Sequence, residues 1–186
     1  MNTQNPTTVS AACTDLIKAS EALYLGAYLC PSNLLTIGWG HVIVPKWDAK
    51  LFRNVSAESL ARIKADCQRR QVISAEAKAL LRINPDQARQ LLDRDIAQTA
   101  LFLRSVTPVA LTQHQFDALV SFIFNIGQGN YAQSTLRKKL HAGDTAGASA
   151  EFDRWIYGTV DGKKVKLNGL ITRRAAERAL FEGNPQ

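Results

Sequence analysis

The chain has 186 residues, of which 46% are hydrophobic, and 23 Lys and Arg against 16 Asp and Glu give it a net charge of +7. This length and apolar content predict one globular domain with a real core and exclude a disordered chain, and no apolar run approaches the roughly 18 residues of a membrane-spanning helix. The positive charge favours an anionic polymer as partner, but the sequence has no zinc-finger, RNA-binding or basic-zipper pattern that would indicate nucleic acid.

The first predicted elements are a helix and a small sheet. Apolar residues at roughly helical spacing predict an amphipathic helix over about residues 10–23. Turn-forming residues at 30–33 and a β-rich run at 34–44, with glycines at 38 and 40, predict a small antiparallel hairpin sheet that Pro45 ends.

Three helix starts follow in the middle of the chain. Ser56 and Ser74 are predicted N-caps, the first of a helix with Leu60 and Cys67 on its buried face and the second of a helix that reaches residue 81. The run Asn-Pro-Asp at 84–86 combines a cap, a proline at the first helical position and an acid in the first turn. It predicts a long helix to about residue 104.

The last part of the chain is predicted to be helical around one buried helix. Thr112 and Gln115 form a capping box before a run that is apolar nearly all round and ends at Gly127. Further elements are predicted in this order: helices at 135–141 and 144–155, a turn or short hairpin at Asp161-Gly162, and a helix at 172–181. The pattern as a whole indicates a mostly helical α+β fold with a small antiparallel sheet near the N-terminus.

The cysteines and the N-terminal residues bear on compartment and cofactors. Cys13, Cys30 and Cys67 are an odd set without C-x-x-C spacing, which predicts reduced thiols. No two possible ligands stand at metal-binding spacing, so a metal site is not expected. The first charged side chains are Asp15 and Lys18, and the basic start of a secretory signal is missing. We therefore expect the protein to stay in the cytoplasm until another component releases it.

One short stretch carries the candidate chemistry. Glu21 ends the first predicted helix, Cys30 stands nine residues later in the turn, and Thr36 six residues further on opens the strand Thr-Ile-Gly-Trp-Gly-His at 36–41. A glutamate at a helix end, followed by a turn and a glycine-rich strand, is an arrangement that places an acid at the mouth of a cleft.

From Glu21 to His41 the spacing resembles the phage-type lysozymes, the endolysins of glycoside hydrolase family 24. Their signature is a Glu at the end of the first helix, an Asp in the turn and a Thr that opens a Thr-Ile-Gly-x-Gly-His strand. This chain has Cys30 where the family pattern usually has Asp. Further matches occur at 122–127, 134–136, 152–155 and 169–178, so that the resemblance covers most of residues 13–182.

The resemblance implies a single lysozyme-like domain over residues 1–186, with two lobes. A small sheet-bearing lobe would span about 24–83, a helical lobe would combine 10–23 with 105–186, and a helix at 84–104 would connect them. The cleft between the lobes would bind peptidoglycan, and the enzyme would hydrolyse the β-1,4 bond between N-acetylmuramic acid and N-acetylglucosamine. The resemblance further implies a monomer that reaches the wall of its bacterial host through a separate holin-type pore protein.

Hydrolysis of a glycosidic bond requires a protonated acid at the leaving oxygen and a second group that activates water or attacks the sugar. Glu21 is the predicted acid, with a pKa raised by partial burial or hydrogen bonding. The resemblance implies an inverting mechanism with Cys30 and Thr36 as the other catalytic residues. A thiol is a poor base, because only a few per cent of it is ionised near neutral pH. Cys30 as base, as nucleophile and as a group that positions water therefore all stay open.

Five further residues are predicted to support the site. By the resemblance, Arg173 or Arg174 would pair with Glu21. Asn125, at the end of the buried helix, would either cap backbone groups or contact the glycan. The remaining two belong to the glycine-rich strand: Trp39 and His41.

Both of these strand residues have alternative interpretations. Trp39 could stack on a sugar face, as could Trp47, whereas Trp155 has the spacing of a core residue. His41 is predicted to be a structural hydrogen-bonding group rather than a base, because it directly follows a sheet turn.

Two rival functions are kept beside hydrolysis. A lytic transglycosylase would cleave the same bond without water, and the missing Asp makes this alternative relevant. A non-catalytic module that binds the wall or nucleic acid would be insensitive to Glu21→Gln. A disulfide between Cys13 and Cys30 outside the cytoplasm is a further hypothesis, which rests only on their proximity in sequence.

Overall fold

A computed structural model describes residues 6–160 and 162–184 of the chain. Contacts divide the chain into two compact units, and the chain passes from one unit to the other after Ser20 and again, inside a long helix, after Asp95. We call Glu21–Asp95 the sheet unit, and we call the residues up to Ser20 together with those from Ile96 onward the helical unit. Helices dominate the described residues, and a small antiparallel sheet lies in the sheet unit, which confirms the predicted α+β class.

Ten α-helices, two short 3₁₀ helices and five strands make up the described residues. The helices are α1 (Ala11–Ser20), α2 (Pro45–Asp48), α3 (Ala57–Arg70), α4 (Ala75–Leu80), α5 (Pro85–Val106), α6 (Gln113–Ile126), α7 (Gln128–Gln133), α8 (Thr135–His141), α9 (Thr145–Ala150) and α10 (Asn168–Phe181). The 3₁₀ helices span Ala49–Leu51 and Glu151–Arg154. The strands are β1 (Tyr24–Leu29), β2 (Leu35–Gly38), β3 (His41–Val42), β4 (Tyr157–Val160) and β5 (Lys163–Lys166).

The predicted caps are present. The side chains of Ser56 and Ser74 accept hydrogen bonds from the third backbone N–H of α3 and α4, and Thr112 and Gln115 form the capping box of α6. The start of α5 at Pro85 is also as predicted. These elements follow from local side-chain to backbone bonds, which the sequence shows directly.

Several predicted boundaries were wrong. α1 ends at Ser20 instead of residue 23, because the chain turns into β1 and leaves Leu23 41% exposed. Pro45 does more than end the sheet, since it is the first residue of α2. α7 was not predicted, because its residues have no apolar period and bury only Tyr131.

The last two helices also differ from the prediction. The helix expected at 144–155 breaks after Ala150 into a tighter 3₁₀ turn, in which Phe152 packs against Phe122 with ring centroids 4.9 Å apart. α10 begins at Asn168, four residues early, and its first helical hydrogen bond runs from Ile171 N–H to Leu167 C=O.

The main sheet of the sheet unit has the order β1-β2-β3, and all neighbours are antiparallel. Tyr28 pairs with Thr36 and Leu29 with Leu35, and a bulge interrupts β1 before Tyr28. Side chains alternate between the two faces of a strand, so that Leu35 and its neighbours on one face enter the core. This core comprises Ala27, Leu35, Ile37, Ile43, Phe52, Val55, Leu60, Ile63, Cys67, Ala77, Leu81, Ile83, Ala88 and Leu91.

α6 forms the centre of the helical unit, as its apolar run predicted. All eight residues from Phe116 to Ile123 are buried, and α1 and α10 pack on this helix. Asp117 anchors the start of α1, because its carboxylate accepts hydrogen bonds from the backbone N–H and the hydroxyl of Ser10.

The predicted C-terminal hairpin is present as an exposed second sheet. β4 and β5 pair antiparallel, and Val160 lies opposite Lys163 next to the turn. The turn residue Asp161 lies outside the described residues. All four residues of β5 are exposed.

Candidate functional site

The three predicted catalytic residues belong to the sheet unit. Glu21 directly follows the last residue of α1 and is half-buried. Cys30 directly follows β1 and is partly exposed, while Thr36 in β2 is only 2% exposed. The Thr36 hydroxyl donates to the Leu34 carbonyl oxygen at 2.9 Å, so towards any further partner this hydroxyl acts as an acceptor.

A tight turn holds Cys30 in place. Its carbonyl oxygen accepts from Asn33 N–H at 2.8 Å, and its own N–H donates to the Leu34 carbonyl oxygen at 3.0 Å. Asn33 has a φ of 58°, a left-handed conformation that asparagine tolerates better than most residues. The predicted turn over residues 30–33 is thus confirmed with its backbone bonds.

Tyr28, Cys30 and Thr36 share one face of the main sheet. Tyr28 and Thr36 are direct cross-strand partners, which point to the same side. Cys30 follows Tyr28 by two residues and therefore lies on that side as well. The alternate residues Leu29 and Leu35 pack towards the core on the opposite side.

Tyr28 is a site residue that the sequence interpretation missed. Its ring stacks on that of Tyr24, with centroids 4.3 Å apart. Burial raises the pKa of Tyr28 to about 12, and the negative charges of Glu21 and Cys30 add to the rise. The signal that could have found Tyr28 is its position two residues before Cys30 in a strand.

His41 lies in a buried ionic cluster of the sheet unit. Its Nδ1 donates to Asp95 at 2.7 Å and its Nε2 to Asp48 at 2.9 Å. Asp48 is fully buried and also accepts from Val44 N–H at 2.7 Å and from Arg94 at 3.0 Å. Burial disfavours the charged ring, but the hydrogen bonds to Asp48 and Asp95 outweigh it and raise the pKa of His41 to about 9. Because both ring nitrogens are engaged and protonated at neutral pH, the geometry supports a structural role.

Arg173 and Arg174 converge on a buried carboxylate within the helical unit. Arg173 Nε lies 3.0 Å and Arg174 Nε 2.9 Å from the two oxygens of Glu177. The Ser121 hydroxyl donates to Glu177 at 2.8 Å, and Arg174 donates to the side-chain oxygen of Asn125 at 2.9 Å. Asn125 is therefore joined to the arginine cluster through its side chain.

Glu177 is the second residue that the sequence interpretation missed. It stands four residues after Arg173 and three after Arg174 in α10, a spacing at which helical side chains meet. Burial raises the pKa of Glu177, and the guanidinium groups of Arg174 and Arg173 oppose that rise. The pairing of either arginine with Glu21 stays a prediction.

Comparison with known proteins decides the family. Residues 18–177 match the model of the phage lysozyme family. The chain belongs to the phage lysozyme family. It is 39% identical over 167 residues to the endolysin of Acyrthosiphon pisum secondary endosymbiont phage 1, which covers 90% of this chain and 92% of that relative. It is 36% identical to the endolysin of Bacillus phage PZA over 96% of this chain, but spans only 57% of that longer relative.

Solved structures agree with this assignment. The muramidase domain of SpmX from Asticaccaulis excentricus has a TM-score of 0.70 and 29% identity, with 96% of this chain and 98% of that chain covered. The endolysin of the Escherichia coli phage FAHEc1 has a TM-score of 0.67 and 29% identity over 94% of this chain and 92% of that chain. The predicted lysozyme-like fold is confirmed, and the enzyme class is that of an endolysin-type muramidase, a glycoside hydrolase.

The tryptophans of this phage lysozyme have different surroundings. Trp39 is partly buried and packs against the core of the sheet unit. Trp47 is 61% exposed, with the Lys46 ammonium 5.0 Å from its ring centroid. Trp155 packs edge-on against Phe122, with ring centroids 5.6 Å apart, but it is only partly buried, so it lies at the edge of the core rather than within it as predicted. Sugar stacking by Trp39 stays a prediction.

The three cysteines of the lysozyme form no disulfide bond, and they differ in solvent exposure. Cys13 and Cys67 have no exposed surface, whereas Cys30 is partly exposed. Burial raises the pKa of the Cys13 thiol far above its usual range, and the charges of Asp117 and Glu177 act in the same direction. Because the thiolate is the reactive form, a buried and protonated Cys13 argues against the hypothesis of a disulfide with Cys30.

The part of the chain that the structure describes contains neither a metal-binding cluster nor a membrane span. Among these residues, no group of three or more His, Cys, Asp or Glu side chains is arranged to hold a metal ion. Within the same residues, no helix has the length and apolar character required to cross a membrane.

Proposed function

We propose that this lysozyme hydrolyses the β-1,4 bond between N-acetylmuramic acid and N-acetylglucosamine in peptidoglycan during host lysis. The observation that carries the proposal is the common face of Tyr28, Cys30 and Thr36, and the negative charge of Glu21 acts on the Tyr28 hydroxyl. Glycoside hydrolysis needs an acid on one side of the bond and a water-handling group on the other, and these residues supply both chemistries.

Glu21 acts as the general acid in this proposal. Its proton passes to the leaving glycosidic oxygen as the bond to the anomeric carbon breaks. Tyr28 supports this role, because with a pKa of about 12 its hydroxyl keeps its proton at neutral pH. That hydroxyl can then donate to a carboxylate or to the attacking water.

Of the roles left open for Cys30, water positioning has the most support. The Thr36 hydroxyl already donates to a carbonyl, so it accepts a hydrogen bond from a water molecule. The Cys30 sulfur on the same face accepts the second one. A water molecule that donates one hydrogen bond to the Thr36 hydroxyl and one to the Cys30 sulfur points a lone pair at the sugar. This is the geometry of an inverting attack. As the water oxygen bonds to the anomeric carbon, the proton of the water leaves to solvent.

Activity on purified peptidoglycan tests this proposal. We expect the wild type to release soluble muropeptides with hydrated reducing ends, and Glu21→Gln to lose at least about 100-fold in rate. Cys30→Ala should keep residual activity if the thiol only positions water, and Cys30→Asp should restore or increase it. Thermal unfolding of each variant controls for loss of the fold.

The products distinguish the rival functions. Fragments lighter by one water, with anhydro ends, would make the enzyme a lytic transglycosylase. No released fragment from the wild type, and glycan binding that Glu21→Gln leaves unchanged, would make the chain a wall-binding module. Salt-dependent binding to DNA that exceeds binding to glycan would favour nucleic acid as partner instead, contrary to our proposal.

Partners and compartment are part of the same proposal. The lysozyme acts as a monomer and a single lysozyme-like domain, accumulates in the host cytoplasm and reaches the wall through a separate holin-type pore protein. Expression in a bacterial host tests this: lysis should follow only when a pore protein is supplied as well. Lysis without any pore protein would contradict it.

A further inference from the structure

Two side-chain amides join the Cys30 turn to the C-terminal end of α3. Asn33 Nδ2 donates to the Gln68 carbonyl oxygen at 2.7 Å, and Gln68 Nε2 donates back to the Asn33 carbonyl oxygen at 3.0 Å. We call this reciprocal pair the amide clamp. Both side chains are partly buried, although the residues are 35 positions apart in the sequence.

The clamp acts on the residue that closes the Cys30 turn. Asn33 N–H donates to the Cys30 carbonyl oxygen at 2.8 Å, and its left-handed φ of 58° makes the turn possible. A displacement of Asn33 is therefore transmitted through one short hydrogen bond to Cys30. The clamp restrains Asn33 at both its backbone carbonyl and its side chain.

α3 is a firm anchor for the clamp. Ser56 caps its first turn, and Leu60 and Ile63 are buried in the core of the sheet unit. Lys64 in the same helix donates to the Ile43 carbonyl oxygen, just past β3, at 2.7 Å. The helix thus holds the sheet at two places, the Cys30 turn and the end of β3.

We propose that Asn33 and Gln68 are positioning residues that keep the Cys30 sulfur in register with Thr36. The proposal rests on the proposed function, because it takes the Cys30 turn as part of the catalytic site. It also assigns a role to α3, a helix within the long stretch between His41 and Ile83: the support of the catalytic turn.

Two variants remove the clamp in different ways. Gln68→Ala deletes one of the two hydrogen bonds. Asn33→Gly deletes the other and keeps the left-handed turn, because glycine adopts positive φ freely. Arg69→Ala is the matched control, since Arg69 lies next to Gln68 in the last turn of α3 and its side chain pairs with Asp66 on the same helix.

The rate at which iodoacetamide alkylates Cys30 in the native protein, measured by mass spectrometry, reports on the position of the turn. This measurement does not depend on enzyme activity. Cys13 and Cys67 are completely buried, so the first adduct forms at Cys30. We expect Gln68→Ala and Asn33→Gly to change the rate of this first alkylation severalfold. We also expect kcat on peptidoglycan to fall by about 10- to 100-fold with little change in KM, because a small misplacement of a reacting group costs this much.

Each outcome decides the proposal. Arg69→Ala should leave alkylation and kcat unchanged, and a second adduct in either clamp variant would reveal unfolding, in which case the other variant decides. Unchanged alkylation in both clamp variants overturns the proposal, and so does altered alkylation with an unaltered kcat. If the wild type itself releases no muropeptides, the proposed function fails, while the alkylation rates still decide whether the clamp holds the Cys30 turn.

Discussion

Each unit of the molecule contains a buried ionic cluster, and the two clusters differ in their response to pH. The helical unit pairs two arginines with Glu177, and burial raises the pKa of this carboxyl group against the opposing charges of Arg174 and Arg173. The sheet unit places His41 between Asp48 and Asp95, and the pKa of this histidine is raised to about 9. In the helical unit burial outweighs the opposite charges around Glu177, whereas in the sheet unit the hydrogen bonds to Asp48 and Asp95 outweigh the burial of His41.

Both clusters obey the same rule of compensation. A buried charge destabilises the fold unless an opposite charge and hydrogen bonds replace its water. The loss of one partner therefore leaves the remaining buried charges uncompensated. The clusters differ in how many charges depend on one carboxylate. Glu177 serves two buried arginines, whereas Asp48 shares His41 with Asp95.

The largest effect on stability is expected for Glu177→Gln. It removes the buried carboxylate that Arg173 and Arg174 both contact and should lower the free energy of unfolding by about 3–5 kcal/mol. Urea unfolding monitored by circular dichroism measures the loss. Glu182→Gln, at the exposed end of the same helix, should cost under about 1 kcal/mol. Equal losses in the two variants would contradict the importance of the buried cluster.

Asp48→Asn should have the next largest effect. It removes the carboxylate shared by His41, Arg94 and the Val44 N–H, but Asp95 still compensates the imidazolium. We therefore expect a loss of about 2–4 kcal/mol, measured by the same urea titration at pH 7. A larger loss than that caused by Glu177→Gln would show that the cluster of the sheet unit contributes more to stability than the cluster of the helical unit.

The pH dependence separates the two clusters directly. The pKa of His41 is raised to about 9, so its stabilisation is complete below the unfolded value of about 6.5 and is lost as pH rises through 9. The free energy of unfolding should fall by about 2–3 kcal/mol between pH 6.5 and 9.5. His41→Gln should flatten this slope and Ser121→Ala, in the other cluster, should not. The same slope in His41→Gln would assign it to another group.

Protonation of Asp48 determines the pH below which the same cluster stops stabilising the fold. Burial acts to raise its pKa, but the hydrogen bonds from His41 and from Val44 N–H prevail, and its pKa is lowered. Its contribution is therefore present above about pH 4 and is lost as pH falls through the lowered value. The sheet-unit cluster is expected to be most stabilising between about pH 4 and 6.5.

The smallest effect is expected for an exposed ion pair. Arg62 pairs with Glu76 at the surface, where both side chains are largely exposed. Arg62→Ala should leave the free energy of unfolding almost unchanged, because water screens an exposed ion pair. A loss comparable to that of Asp48→Asn would show that burial is not what distinguishes the two clusters from surface pairs.

Much of the fold could be predicted because its signals are local. Ser56, Ser74 and the capping box of Thr112 mark helix starts through bonds to residues three positions away. The apolar run of α6 predicts its central burial. α7 has no such signal, and the end of α1 depends on where β1 pairs with β2.

The candidate site divides in the same way. The spacing of Glu21, Cys30 and Thr36 is a property of the chain and could be recognised in it. The cross-strand position of Tyr28 required the sheet register, and the contacts of Ser121 and Asn125 with the arginine cluster required the packing of α10 on α6.

The amino-acid sequence by itself determined the helix caps, the buried central helix, the lysozyme family and the Glu-Cys-Thr spacing of the candidate site. Only the tertiary structure decided which distant side chains meet: Gln68 with Asn33, and His41 with Asp95, which is 54 residues away. The physical reason is that caps and periodicity arise from neighbours along one turn, whereas these pairs exist only after the helices and the sheet have packed.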